Sequence, residues 1–257
     1  MRRMSVMAVG MAIALPFVGW QSGERPHWQV GGSQIVGHAS LPPAGTFPLI
    51  VPKGASLILQ GDSNVRSRPP IDDARSLPTL LRRSIGPTVE VVVRSFGGDT
   101  ISLGMKRWLT GTHPGDLVIL VYGTNDAAPR GWMAKRERVP THVYQMKLAE
   151  LARKFENIGA RTLILAPLPT GSSAMERRVA PYRFAARQAA IDANVSFLDP
   201  VAAFNRNGIK KPALGYDGLH LSVSGHEQLS AWLIQNIRIG VRHNDIAVDV
   251  STHDPAD

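Results

Sequence analysis

Five short apolar runs, each ended by turn chemistry and separated by stretches of helical spacing, constrain the fold of this chain most. They cover residues 55–60, 88–94, 117–121, 162–166 and 195–198. Runs of this length rich in Val, Ile and Leu read as strands. They are apolar over consecutive rather than alternate positions, so both faces of the sheet are covered, and their alternation with helices makes it mostly parallel. The fold class is therefore α/β.

The intervening stretches carry helical stripes. Residues 72–85 place Leu77, Leu80 and Leu81 on one face, with Pro78 restricting how the helix begins. Asp99 or Thr100 caps a helix running to Leu109, with Ile101, Met105 and Trp108 inward. Residues 141–158 form the longest pattern, facing Val143, Met146, Leu148, Leu151 and Phe155 to the core and stopping at Gly159. Residues 174–193 read as a helix whose arginines make one solvated face, and residues 223–237 as the final helix.

Open α/β sheets place their chemistry at the carboxyl ends of the strands. The first run ends there in Gly61-Asp62-Ser63, which makes Ser63 a candidate nucleophile. Taken alone, Gly-Asp-Ser is also an ordinary turn. Three later segments bear on the choice. Arg94-Ser95-Phe96-Gly97-Gly98-Asp99-Thr100 closes the second run, Tyr122-Gly123-Thr124-Asn125-Asp126 closes the third, and Asp217-Gly218-Leu219-His220 precedes the final helix.

These four blocks, in this order, resemble the SGNH (GDSL-type) hydrolase family, with its Gly-Asp-Ser, glycine, Gly-x-Asn-Asp and Asp-x-x-His. The resemblance spans roughly Leu57 to Leu233. It implies a three-layer α/β/α sandwich around a mostly parallel five-stranded sheet, the flavodoxin-like SGNH hydrolase fold. It also implies a serine esterase that needs no cofactor and no metal. Ser63 would be the nucleophile, His220 its base, and Asp217 the residue that orients the imidazole. The oxyanion donors would be the N–H of Ser63, the N–H of Gly98 and the side-chain amide of Asn125. Gly98 is preferred to Gly97 because it immediately precedes Asp-Thr. Asp62 and Asp126 are assigned to loop scaffolding, and His226, on the final helix, is a poorer base than His220. The sequence departs from the family where Asn64 and Val65 replace the usual Leu and Thr, and where Arg66 and Arg68 replace small or apolar residues.

Composition and the ends of the chain complete the reading. With no cysteine, disulfides, thiolate catalysis and cysteine-ligated zinc are excluded. A net charge of +9 favours anionic partners or a solvated basic surface, and no nucleic-acid-binding signature accompanies it. Residues 1–20, a basic start followed by a short apolar run, read as a signal peptide or membrane anchor and imply export to the periplasm or medium. Residues 21–53 read as a Gly/Pro-rich linker or strap with a small hairpin across Gly31-Gly32, residues 54–239 as the catalytic domain, and residues 240–257 as a polar tail. Periodicity already fades from Arg238. Arg66 and Trp132, the latter in a basic segment after the third block, are candidate contacts for a small-molecule or glycan ester. The expected substrate is a short acyl ester, such as an O-acetyl group on carbohydrate. An O-acyltransferase, a lysophospholipase or thioesterase, and a non-catalytic glycan- or lipid-binding domain are the alternatives.

Overall fold

The structure is a computed structural model that describes residues 45, 47–66, 73–107, 110–129, 135, 137–205, 213–215 and 217–240. The amino-terminal segment, the hairpin across Gly31-Gly32, Trp132 and the tail beyond 240 lie outside these residues.

The five apolar runs become five strands of one sheet: β2 (Ser56–Gly61), β3 (Glu90–Ser95), β4 (Leu117–Val121), β5 (Arg161–Leu165) and β6 (Ser196–Leu198). All neighbours are parallel and the spatial order is β3-β2-β4-β5-β6. Numbered within the sheet this is 2-1-3-4-5, the flavodoxin-like order, whose direction of winding reverses between β2 and β4.

Alternate strand residues feed two separate cores. Ile58, Val118, Leu120 and Ile164 pack against α2 (Ile101–Arg107), α4 (Thr141–Ile158) and α5 (Ser173–Ala193). Leu57, Leu59, Ile119, Val121, Leu163 and Leu165 pack on the opposite face with α1 (Leu77–Ile85) and α7 (Val223–Asn236). Both faces are thus covered, which is why the strands carry no polar alternation. Two short helices, α3 (Thr124–Ala127) and α6 (Val201–Asn205), complete the set among the described residues; at four and five residues they are too brief to show a period.

Several elements differ from expectation. The helix expected from residue 72 is a 3-10 turn, Asp73–Arg75, followed by α1. Ser76, extended at φ −74° and ψ 153°, separates them, and Pro78 then sits in the first turn, where its missing N–H costs nothing. On α4, Met146 is 59% exposed, while Tyr144 is buried and donates its hydroxyl to the Tyr122 carbonyl at 2.8 Å. On α5, Arg183 points inward while Arg177, Arg178 and Arg187 face solvent. The stretch read as a linker ends in β1 (Leu49–Pro52), which pairs in parallel with β7 (Ile237–Gly240). Arg238, Ile239 and Gly240 are therefore strand rather than tail. Four residues with two inward side chains leave almost no alternation to read. Among the described residues, no helix is long and apolar enough to cross a membrane.

Candidate active site

The turn after β2 is made possible by Gly61. A Cβ there would lie 2.3 Å from the Val121 carbonyl oxygen, so only glycine lets the ends of β2 and β4 close together. Ser63 then opens a 3-10 turn, Ser63–Val65, capped by Asp62. One carboxylate oxygen of Asp62 accepts from the Asn64 N–H at 2.9 Å and from the Asn64 side-chain amide at 3.0 Å. Asn64, where the family pattern has an apolar residue, thus fastens the nucleophile's turn from within. The only forewarning was its place after Gly-Asp-Ser.

His220 arrives from the other end of the chain in a small hairpin. Leu214 and Leu221 form an antiparallel bridge, and the Gly215 N–H donates to the His220 carbonyl at 2.7 Å. Gly218 turns the chain at φ 62°, a left-handed conformation that glycine takes without strain. Ser222 then caps α7 by accepting the Gly225 N–H at 3.2 Å.

These two loops bring Ser63 and His220 together across 157 positions of sequence: Ser63 Oγ lies 2.8 Å from His220 Nε2. On the far side of the ring, His220 Nδ1 lies 2.6 Å from Asp217 Oδ2. The other Asp217 oxygen accepts the N–H groups of Leu219 and His220 at 2.9 and 3.0 Å. Partial burial pushes the Asp217 carboxyl up, but the His220 N–H, the imidazole and the Leu219 N–H together hold it below the usual range. An ionised carboxylate only accepts, so Nδ1 carries the ring proton and Nε2 is left to accept the serine hydrogen.

Gly98 is the third residue of a turn closed by the Asp99 N–H donating to the Phe96 carbonyl at 3.2 Å. Its φ of 83° is what a type II turn requires at that position. Neither that turn nor the 3-10 turn uses the N–H of Gly98 or Ser63 in its own closure. Asn125 lies on α3, just beyond β4, and its amide donates to Asp62 Oδ2 at 3.2 Å and to the Asp99 carbonyl at 3.1 Å. The amide therefore bridges the loops after β2, β3 and β4. Neither of its hydrogens is left over.

Behind these loops lie buried carboxylates. Burial pushes Asp62 up to about 6, opposed by Asn64 and assisted by Asp99, and pushes Asp126 up to about 7, opposed by the Ile101 N–H and assisted by Asp62. Asp126 accepts that N–H at 3.1 Å and so ties the start of α2 to the loop after β4. Asp99 pairs with Arg107 at 3.3 Å, and the Arg107 guanidinium stacks 4.4 Å above the Phe96 ring. His226 is buried, accepts the Leu77 N–H on Nδ1 at 3.2 Å and is held down to about 4 by burial and by His220. A neutral imidazole that joins α7 to α1 takes no part in the Ser63 contact. Among the described residues, no group of three or more His, Cys, Asp or Glu is arranged to hold a metal ion.

Arg183 went unrecognised because its neighbours in sequence are exposed arginines. Its guanidinium donates to the Pro167 and Leu168 carbonyls at 2.8 and 3.0 Å and pairs with Glu176, which accepts the Thr170 N–H at 3.0 Å. This braces the loop after β5, whose Gly171 N–H donates to the Gly218 carbonyl at 2.8 Å, within the turn that carries Asp217 and His220.

Comparison with known proteins agrees with this architecture. A lipase/acylhydrolase from Enterococcus faecalis superposes with a TM-score of 0.59 at 21% identity, covering 70% of this chain and 93% of that one. A protein of the G-D-S-L family from Desulfitobacterium hafniense gives 0.58 at 20%, covering 70% and 98%. A catalytic mutant of an acetylxylan esterase from Geobacillus stearothermophilus gives 0.60 at 24%, covering 74% and 97%. No curated protein matches the sequence. The sequence profile described as the GDSL-like Lipase/Acylhydrolase family matches residues 60–228, a span that begins at the end of β2 and runs past His220 into α7. The chain belongs to that family and is an ester-hydrolysing enzyme.

Proposed function

We propose that the enzyme cleaves short acyl esters through an acyl-enzyme on Ser63. The observation that carries this is the continuous relay from Ser63 Oγ through His220 to Asp217, with links of 2.8 and 2.6 Å. A hydroxyl is a weak nucleophile until a base takes its proton. As Ser63 Oγ bonds to the ester carbonyl carbon, its hydrogen passes to His220 Nε2, and Asp217 stabilises the resulting imidazolium. The negative charge on the carbonyl oxygen is met by the N–H groups of Ser63 and Gly98. Asn125 joins them by turning one amide hydrogen away from Asp62 or Asp99. Collapse breaks the C–O bond, and His220 returns the proton to the leaving alcohol. Water then repeats the sequence on the acyl-enzyme, releasing the acid and restoring Ser63.

The substrate we favour is an O-acetyl group on a carbohydrate outside the cytoplasm. Support comes from the signal-like amino-terminal sequence, the basic charge and the acetylxylan esterase among the structural neighbours. An ester panel of graded acyl length, run with the wild type and Ser63→Ala, tests the reading. The wild type should prefer acetyl esters, and the variant should lose turnover by several powers of ten. Undiminished turnover in Ser63→Ala would reject the nucleophile, and a preference for long acyl chains would reject the acetyl assignment.

A further inference from the structure

Arg66 immediately follows the nucleophile's turn and departs from the apolar or small residue usual at this place in the family. It is exposed and extended, with φ −124° and ψ 163°, and its side chain reaches the turn after β3. Its Nη2 lies so close to Gly97 that a Cβ there would stand 3.2 Å away. The absence of a side chain at 97 leaves the guanidinium room one residue before Gly98. A second guanidinium at the same turn, Arg107, is already committed to Asp99 and to the Phe96 ring.

Among the described residues no carboxylate pairs with Arg66. Three acids of the surrounding loops are buried and already engaged: Asp62 by Asn64 and Asn125, Asp99 by Arg107, and Asp126 by the Ile101 N–H. A solvated cation at the rim of a serine site, with no carboxylate partner among the described residues, presents a planar fork suited to the oxygens of a carboxylate, sulfate or phosphate.

We infer that Arg66 forms an anion-binding subsite beside the oxyanion position, so that the preferred ester carries a negatively charged group close to the scissile bond. This rests on the Ser63 reading above. The charge can belong to the acyl part or to the alcohol, and two matched substrate pairs separate these sources. Mono-4-nitrophenyl succinate against 4-nitrophenyl butyrate tests the acyl side, and 4-acetoxybenzoate against phenyl acetate tests the alcohol side. For each pair the ratio of kcat/KM, anionic over neutral, is measured in the wild type, Arg66→Ala and Arg66→Lys. Arg187→Ala, an exposed arginine on α5, controls for net charge.

In one arm Arg66→Ala should lower the ratio about tenfold, equivalent to ~1.4 kcal/mol, mainly through KM. Arg66→Lys should retain part of the preference by keeping the charge without the fork. The wild-type preference should shrink in molar salt, as an exposed ion contact does. A ratio unmoved by Arg66→Ala in both arms, or moved equally by Arg187→Ala, would overturn the subsite. Ser63→Ala run on the same esters keeps the two ideas apart: a dead serine variant with unmoved ratios removes only the subsite, whereas a live one removes the nucleophile and the subsite with it.

Discussion

The proton on Ser63 has an acceptor within reach in His220, and the value of that acceptor depends on which ring nitrogen is already protonated. Asp217 decides this by accepting from Nδ1 at 2.6 Å while its other oxygen is held by two backbone N–H groups. Asp217→Asn keeps the turn, since an amide oxygen can still accept those N–H groups. It also presents an NH₂ toward Nδ1, which favours the tautomer with its hydrogen on Nε2. We expect kcat to fall on the order of 10³–10⁴-fold with the melting temperature little changed. Steady-state kinetics with thermal unfolding checks this, and a loss of kcat that merely follows a loss of folding would reject the orienting role.

Between elements, buried carboxylates join the loops that deliver the site, and their ionisation gives the fold a pH dependence. The Asp126 carboxyl, at about 7 against an ordinary 3.8, holds its proton more tightly in the folded chain than in the unfolded one. Its contribution to stability is therefore complete below the unfolded value and is lost as pH rises through the folded one. His226 runs the opposite way. With a folded value of about 4 against 6.5, its contribution is present above 6.5 and is lost as pH falls toward 4. Asp126→Asn removes the first effect while its side-chain oxygen still accepts the Ile101 N–H. In urea unfolding between the ordinary carboxylate value and neutrality, the wild type should lose stability relative to the variant by up to ~1.4 kcal/mol per pH unit, levelling off above Asp126's own value. Parallel curves for the two proteins would show that the buried carboxyl is not protonated in the folded state.

Across the whole molecule, the two ends of the described region are tied by the pairing of β1 with β7, outside the main sheet. Leu49 and Ile237 are partners in register, both buried against the same core as α1 and α7. Leu49→Ala and Ile237→Ala should each destabilise the protein by ~2–4 kcal/mol, and the double variant by less than their sum, because they share one packing site. Full additivity in denaturant unfolding would mean that the pairing does not hold in solution.

How much of this was legible in the chain depends on distance along it. Strands β2 to β6 could be read because a strand covered on both faces carries apolar residues at consecutive positions, which is a local property. Ser63 could be singled out because it follows such a run, and Gly98, Asn125 and His220 because their short blocks, in this order, resemble those of one family. What no local pattern carries is the partner of a buried polar group. Arg183 reads like the exposed arginines around it until Pro167, Leu168 and Glu176 are seen to surround it, and Met146 fits the stripe that Tyr144 in fact occupies.

The sequence by itself thus determined the layered sheet and the chemistry offered at its edge, because periodicity and turn residues act over a few positions. Only the tertiary structure decided that the loops after β2 and before α7 meet at hydrogen-bond distance, that Asn125 is held by Asp62 and the Asp99 carbonyl, and that Arg66 lies against Gly97. Those relations depend on strand order and on close approach between distant segments, and the chain encodes both only through the packing of all its layers at once.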